Sequence, residues 1–238
     1  MRKARKFLGF ESAILTRIPE IRIGFWLLGG RVLWKFGRMP QLLIATKNAH
    51  KTQEIRAMLG EAWALSDLCQ YSEIPAPEEN GVTFSQNAAI KAVEASKLFP
   101  GWVLADDSGL AVDALHGAPG VISARFAGPD ASDADNREKL LRDMAGFPDA
   151  SQRTARFHCV LALAFGGDVK ALFQGVVEGH LLGEEQGSGG FGYDPLFVPE
   201  GHSDSFGVLP ATVKNAMSHR SRALEAFRQW VLVNSSIL

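Results

Sequence analysis

Four apolar residues, Trp102-Val103-Leu104-Ala105, run directly into two adjacent carboxylates, Asp106 and Asp107. A Ser108-Gly109 pair follows, then a second apolar run, Leu110-Ala111-Val112. A short, continuous apolar run reads as a strand buried on both faces, which belongs in an α/β protein. The pattern predicts a strand over 102–105 and a turn at 108–109. It puts the carboxylates at the strand's end, where α/β sheets bind ligands. Two carboxylates side by side repel, so a cation or a bound proton is expected there. Oxygen ligation by one or two carboxylates, completed by water and substrate phosphate, is the habit of Mg²⁺. The same residues also make an ordinary Asp-Ser-Gly turn, so the rest of the chain must decide.

Length and composition set the frame. With 238 residues, 46% of them apolar, the chain can fill a sizeable core as one large domain or two small ones. Its net charge of −1 gives no global attraction to nucleic acid or a membrane surface. Cys69 and Cys159 are too few for a disulfide framework and read as reduced thiols of a cytoplasmic protein. Charge is uneven, however. Residues 1–38 hold nine basic against two acidic residues, or +7, while sixteen against twenty-four leave −8 on the rest. The apolar run Gly24-Phe25-Trp26-Leu27-Leu28 is too short to span a bilayer. Residues 1–38 are expected to be a disordered basic extension, or the product of an upstream start codon with Met39 as the natural start. A basic arm touching a membrane or partner is the alternative. Residues 39–238 are expected to form the working domain.

Gln41-Leu42-Leu43-Ile44-Ala45 reads as a buried strand, and Ile55, Met58 and Leu59 recur at helical spacing up to Gly60. Thr46, Lys47, Asn48, Ala49, His50 and Lys51 therefore fall in a strand-to-helix turn, where free N–H groups and the helix dipole favour an anion. Asn48 as a plain N-cap is the simpler reading. Thr83-Phe84-Ser85-Gln86 opens a helix to about Phe99, with Ala89, Val93 and Ser96 on one face. Asn87 and Lys91 share a face four residues apart, by default a solvated one. Ser132 caps a helix whose Leu140, Leu141 and Met144 face the core.

Ala155 to Phe165 has strand character, and 169–173 and 176–179 suggest two further strands with turns at Gly166-Gly167 and near Gly175. Gly187, Gly189 and Gly192 formally match a dinucleotide fingerprint, but Pro195 and a strand follow where that motif needs a helix. Glycines beside Phe191 and Tyr193 suggest instead a loop whose backbone approaches a flat ligand. Ser218 reads as an N-cap, placing His219 and Arg220 in a first turn, where cations oppose the helix dipole. A bound anion or polar ligand would explain that placement.

Seven blocks in order carry a resemblance. They are Ala45-Thr46-Lys47-Asn48-Ala49-His50-Lys51, Glu78-Glu79-Asn80-Gly81-Val82-Thr83-Phe84, Asn87-Ala88-Ala89-Ile90-Lys91-Ala92, Ala105-Asp106-Asp107-Ser108-Gly109-Leu110, Gly120-Val121-Ile122-Ser123-Ala124-Arg125, Gly190-Phe191-Gly192-Tyr193-Asp194-Pro195 and Lys214-Asn215-Ala216-Met217-Ser218-His219-Arg220. Over about residues 41–232 the chain resembles the inosine triphosphate pyrophosphatase family, also called dITP/XTP pyrophosphatases. The resemblance implies Mg²⁺-dependent hydrolysis of deaminated purine nucleoside triphosphates to the monophosphate and pyrophosphate. It also implies a homodimer, and the cysteines and net charge are consistent with a cytoplasmic protein that has neither nucleic acid nor membrane as partner. By the same resemblance, Thr46, Lys47, Asn48, Ala49, His50 and Lys51 take the triphosphate. Glu78 and Asp107 hold the metal, with Asp107 also the general base and Lys51 a catalytic cation. Ser108, Phe191, Gly192, Tyr193, Asp194, Lys214, His219 and Arg220 form the substrate pocket, and Asp106, Asn87 and Lys91 are further candidates. The expected fold is α/β, a central mixed sheet flanked by helices, with the site in a cleft between two lobes. A pyrophosphatase for other modified nucleotides and a non-catalytic nucleotide sensor remain as rival readings.

Overall fold

The computed structural model describes residues 40–234. It also gives the backbone of two short strands, β1 (Gly24–Leu28) and β2 (Arg31–Lys35), which pair antiparallel. Apart from that pair, the expectations for residues 1–38 lie outside the described residues. Six further strands make one mixed sheet: β3 (Gln41–Ile44), β4 (Ala64–Asp67), β5 (Trp102–Val112), β6 (Thr154–Phe165), β7 (Asp168–Leu181) and β8 (Phe197–Pro199). Their order is β4-β3-β5-β6-β7-β8. β3 pairs parallel with both β4 and β5, and every later pairing is antiparallel. The expected mixed sheet with flanking helices is therefore present.

Alternation along the strands sorts the core into two faces. Leu42, Ile44, Leu104 and Leu161 pack with Ile55 and Leu59 of helix α1 (Ala49–Leu59) and with Leu224 and Phe227 of helix α5 (His219–Val233). Leu43, Val103, Ala105 and Val160 face the other way, onto Ala88, Ala92 and Ala95 of helix α2 (Phe84–Leu98). Small alanines let α2 lie close to the sheet. A third cluster at the far end joins Leu110, Phe157, Phe197 and Phe206 to Leu140 of helix α3 (Asp133–Asp143). A short helix, α4 (Ala211–Met217), leads into α5 through Ser218, which caps α5 by accepting from the Ser221 N–H, as the sequence indicates.

Three expectations need correction. First, β5 runs unbroken from Trp102 to Val112, so Asp106 and Asp107 lie in mid-strand and Ser108-Gly109 is not a turn. β6 pairs with it from Val103 through Val112, which holds the backbone extended. Gly109 serves a close approach: a Cβ there would lie 2.4 Å from Ser123 Oγ and 2.5 Å from the Gly120 carbonyl. Second, β7 is one strand, with the turn at Gly166-Gly167 as expected but none near Gly175. A Cβ on Gly175 would lie 2.0 Å from the His219 carbonyl oxygen and 2.6 Å from the Ala223 nitrogen, so this glycine lets α5 rest on the sheet. Third, the buried face of α2 is Asn87, Ala88, Lys91, Ala92, Ala95 and Ser96, not the Ala89 and Val93 side. Asn87 and Lys91 are buried rather than solvated. Asn87 Oδ1 accepts from the Gly81 N–H at 2.8 Å, and Lys91 reaches the acids described next.

Candidate active site

Asp106 and Asp107 are consecutive on a strand, so their side chains leave opposite faces. Asp106 points at α1 and α5. Its Oδ1 accepts from Lys51 Nζ at 2.5 Å and from the Ser108 hydroxyl at 2.8 Å. Its Oδ2 accepts from Arg220 Nε at 2.8 Å and from the Cys159 thiol at 3.3 Å. Burial works against this carboxylate, but Arg220 and Lys51 outweigh it and hold it well below the usual range. Asp107 points at α2. Its Oδ1 accepts from Lys91 Nζ at 2.7 Å, and its buried Oδ2 has no partner among the described residues. Burial raises this carboxyl above the usual range, against the pull of Lys91 and Lys51.

Lys91 is itself divided. Burial disfavours its charge, yet Asp107 and Glu79 more than compensate and raise its pKa. Its ammonium lies 2.9 Å from Glu79 Oε1. Glu78, the neighbour that the resemblance assigns to the metal, is exposed and has no hydrogen bond or ion pair among the described residues. Arg125 reaches the other Glu79 oxygen only at 3.9 Å.

From Arg220 a chain of buried charges continues. Arg220 also pairs with Glu54, and its third nitrogen, Nη2, donates to Ser108 Oγ at 3.0 Å. Glu54 accepts from Lys214 Nζ at 2.8 Å, and Lys214 donates to Asp194 Oδ2 at 2.5 Å. Burial opposes the Glu54 carboxylate, but Arg220 and Lys214 hold it below the usual range. Burial raises Asp194 instead, with Lys214 pulling against it. The anion sought near His219 and Arg220 is therefore the protein's own Asp106 and Glu54. Burial, then Arg220 and Lys214, push the His219 pKa well below normal, which favours the neutral ring. Its ring stacks on Phe157 at 4.8 Å, and its buried Nδ1 has no partner among the described residues.

The strand-to-helix turn behaves as its capping chemistry dictates. Asn48 Oδ1 accepts from the His50 and Lys51 N–H groups, and Thr46 Oγ1 accepts from the Asn48 N–H. The simpler reading of Asn48 is thus present. Lys47, Ala49 and His50 stand exposed at the helix start. His50 stacks on Phe191 at 5.3 Å, so the turn meets the glycine-rich loop across the cleft. Lys214 Nζ lies 4.8 Å from the same ring.

An open cleft collects these groups. Asn48, Lys51, Ser108, Phe191, Gly192, Tyr193, Asp194, Lys214, His219 and Arg220 line it, together with Ser123, Asp133 and Asn136. Asp107, Lys91 and Glu79 are not part of that lining. Lys51 connects the two compartments, since it bonds Asp106 and acts electrostatically on Asp107. Glu54, Glu79, Asp133 and Arg137 escaped the sequence reading. Glu54 stands three residues after Lys51 on α1, and that i,i+3 spacing was a usable signal.

Fold and site together define an α/β protein built to take an anionic ligand that carries a flat ring. The sequence profile of the Ham1 family matches residues 42–230. The chain belongs to that family. It is 43% identical to a dITP/XTP pyrophosphatase of Halalkalibacterium halodurans, over 81% of this chain and all of that one. It is 48% identical to one of Rhodopirellula baltica, over 80% of this chain and 92% of the relative. A solved HAM1 protein from Coxiella burnetii superposes with a TM-score of 0.73 at 39% identity, covering 82% of this chain and 99% of its own.

Proposed function

We propose that this chain hydrolyses deaminated purine nucleoside triphosphates, ITP, dITP and XTP, to the nucleoside monophosphate and pyrophosphate. The observation that carries the reading is Asp107: a buried carboxylate with one oxygen on Lys91 and the other unpartnered, followed directly by Ser108, which lines the cleft of cations and aromatic rings. Its raised pKa suits a general base, which works best when its proton affinity approaches that of its surroundings. Asp107 takes a proton from a water aimed at the α-phosphorus. The new P–O bond forms as the bond to the bridging oxygen breaks, and pyrophosphate leaves.

The residues fit Mg²⁺. The unpartnered Asp107 Oδ2 is a vacant oxygen donor, and Glu79, or Glu78 beside it, adds a second carboxylate. Among the described residues no three His, Cys, Asp or Glu side chains cluster as a ready-made metal cage. Held by one or two carboxylates, Mg²⁺ would complete its shell with water and phosphate oxygens. Bound there, Mg²⁺ would offset triphosphate charge. Lys51 adds a cation at the junction of both compartments. The purine stacks on Phe191, and neutral His219 offers its unpartnered nitrogen toward the ring edge. Which His219 nitrogen carries the proton is a matter of tautomer, and a donor there pairs with a 6-oxo group but not with the 6-amino group of adenine. Arg220 is committed to Asp106, Glu54 and Ser108, so its role is to shape the pocket floor.

Among the described residues no helix is long and apolar enough to cross a membrane. A cytoplasmic homodimer completes the proposal, and sedimentation tests the dimer. The decisive assay is pyrophosphate release from ITP, XTP, dITP, ATP and GTP, each with Mg²⁺ and with EDTA. Metal-dependent release confined to the deaminated purines is expected. Equal turnover of ATP and GTP discards the account of base selection, and no turnover at all discards the enzyme.

A further inference from the structure

The loop that carries Phe191 is gripped from outside its own segment. The Gly192 N–H donates to Asp133 Oδ2 at 2.7 Å, and the Gly192 carbonyl accepts from Arg137 Nη1 at 2.9 Å. Asp133 and Arg137 stand four residues apart on α3, so one helix face meets both backbone polar groups of Gly192, the N–H of one peptide unit and the C=O of the next. A capping box between Ser132 and Asp135 fixes the helix start just there. Gly192 has φ +60°, a left-handed turn whose direction sets the planes of the flanking side chains. The same short loop is tied at Phe191, whose N–H donates to Asp194 Oδ2 at 2.8 Å, and at Tyr193, whose hydroxyl donates to the Ser123 carbonyl at 2.8 Å. Those ties hold the ends of the turn, whereas the α3 grip holds its apex.

We propose that Asp133, assisted by Arg137, is a positioning residue for base recognition: it fixes the Gly192 peptide and with it the Phe191 ring against which the purine stacks. This deepens the pyrophosphatase reading and rests on it. The triphosphate turn at 46–51 and the Asp107 cluster have no hydrogen bond to either residue. The turn touches the loop through the His50–Phe191 ring stack, so loss of the grip should weaken binding of the base far more than binding of the phosphates. A hydrogen bond to a charged acceptor is worth enough to shift an affinity by about tenfold.

The test compares Asp133→Ala with Asp133→Asn, which loses the charge but keeps an acceptor oxygen. In Asp133→Ala the KM for ITP should rise about tenfold, with kcat within about twofold and inhibition by inorganic triphosphate unchanged. Asp133→Asn should restore the KM. Hydrogen–deuterium exchange over residues 187–196 makes the same comparison without substrate: faster in Asp133→Ala, near the unsubstituted rate in Asp133→Asn. Unchanged exchange, or equal losses of ITP and inorganic triphosphate binding, would overturn the grip. Absence of ITP turnover by the unsubstituted protein would overturn the pyrophosphatase reading instead, and the exchange comparison would still decide whether Asp133 holds the loop.

Discussion

Asp106 and Asp107 share a strand, a residue type and near-complete burial, and they end in opposite states. Asp106 meets two cations, a hydroxyl and a thiol, and both its oxygens are used. Asp107 meets one cation and keeps an oxygen free. The cause is the pleat: one residue of displacement sends one side chain toward α1 and α5 and the other toward α2. Environments that push two like groups apart in proton affinity separate a fixed charge from a reactive one. Asp106 is thus part of the frame, and Asp107 is the group left with chemistry to do.

Substitutions sharpen that contrast, the largest effect first. Asp107→Asn removes the base and one metal oxygen, so pyrophosphate release should fall by about 10³-fold or more, with thermal unfolding little changed. Near-normal activity would break the assignment. Asp106→Asn should do the reverse. It strands Lys51 and Arg220 in a buried place, a loss of about 3–5 kcal/mol by urea unfolding, with activity tracking the folded fraction. Acid should separate the two carboxylates as well. Asp106, depressed in the fold, stabilises above its unfolded pKa, and that contribution is lost as pH falls through its folded value. Asp107, raised in the fold, has the opposite sign: protonation relieves a buried charge, yet activity disappears because the base is neutralised. The acidic limb of kcat/KM should therefore follow the ionisation of Asp107, at a pH where the fold is still intact. Lys91→Met withdraws the cation that lowers Asp107, so this limb should move to higher pH. A limb that stays in place would mean that it belongs to another group. Smallest is Cys159→Ala, which removes one weak donor from Asp106 and should cost about 1 kcal/mol by denaturant unfolding with catalysis unaltered.

The blocks that hold chemistry were legible because each pairs a chemical residue type with a local signal. Ser218 before a helical repeat placed His219 and Arg220, and Asn48 before Ile55 and Leu59 placed the turn. Long-range geometry left no such trace. Gly109 and Gly175 look like turn residues, since sequence shows a missing side chain but not the Ser123 hydroxyl or the α5 backbone that fills its place. Lys91 looks solvated because its partners, Asp107 and Glu79, lie sixteen and twelve residues away on other elements. Arg220 was expected to want an external anion because Asp106, 114 positions earlier, could not be seen as its partner.

The run Lys51–Asp106–Arg220–Glu54–Lys214–Asp194, buried or half-buried throughout, alternates in sign at every step. Such a series behaves like an arch: each of the four inner members is held by both neighbours, and none of those stones can be exchanged alone. One neutralising substitution leaves an uncompensated charge on either side, so the tolerated paths of change run through pairs. A second substitution at an adjacent member should restore much of what the first removes. The floor of the cleft is therefore slow to drift.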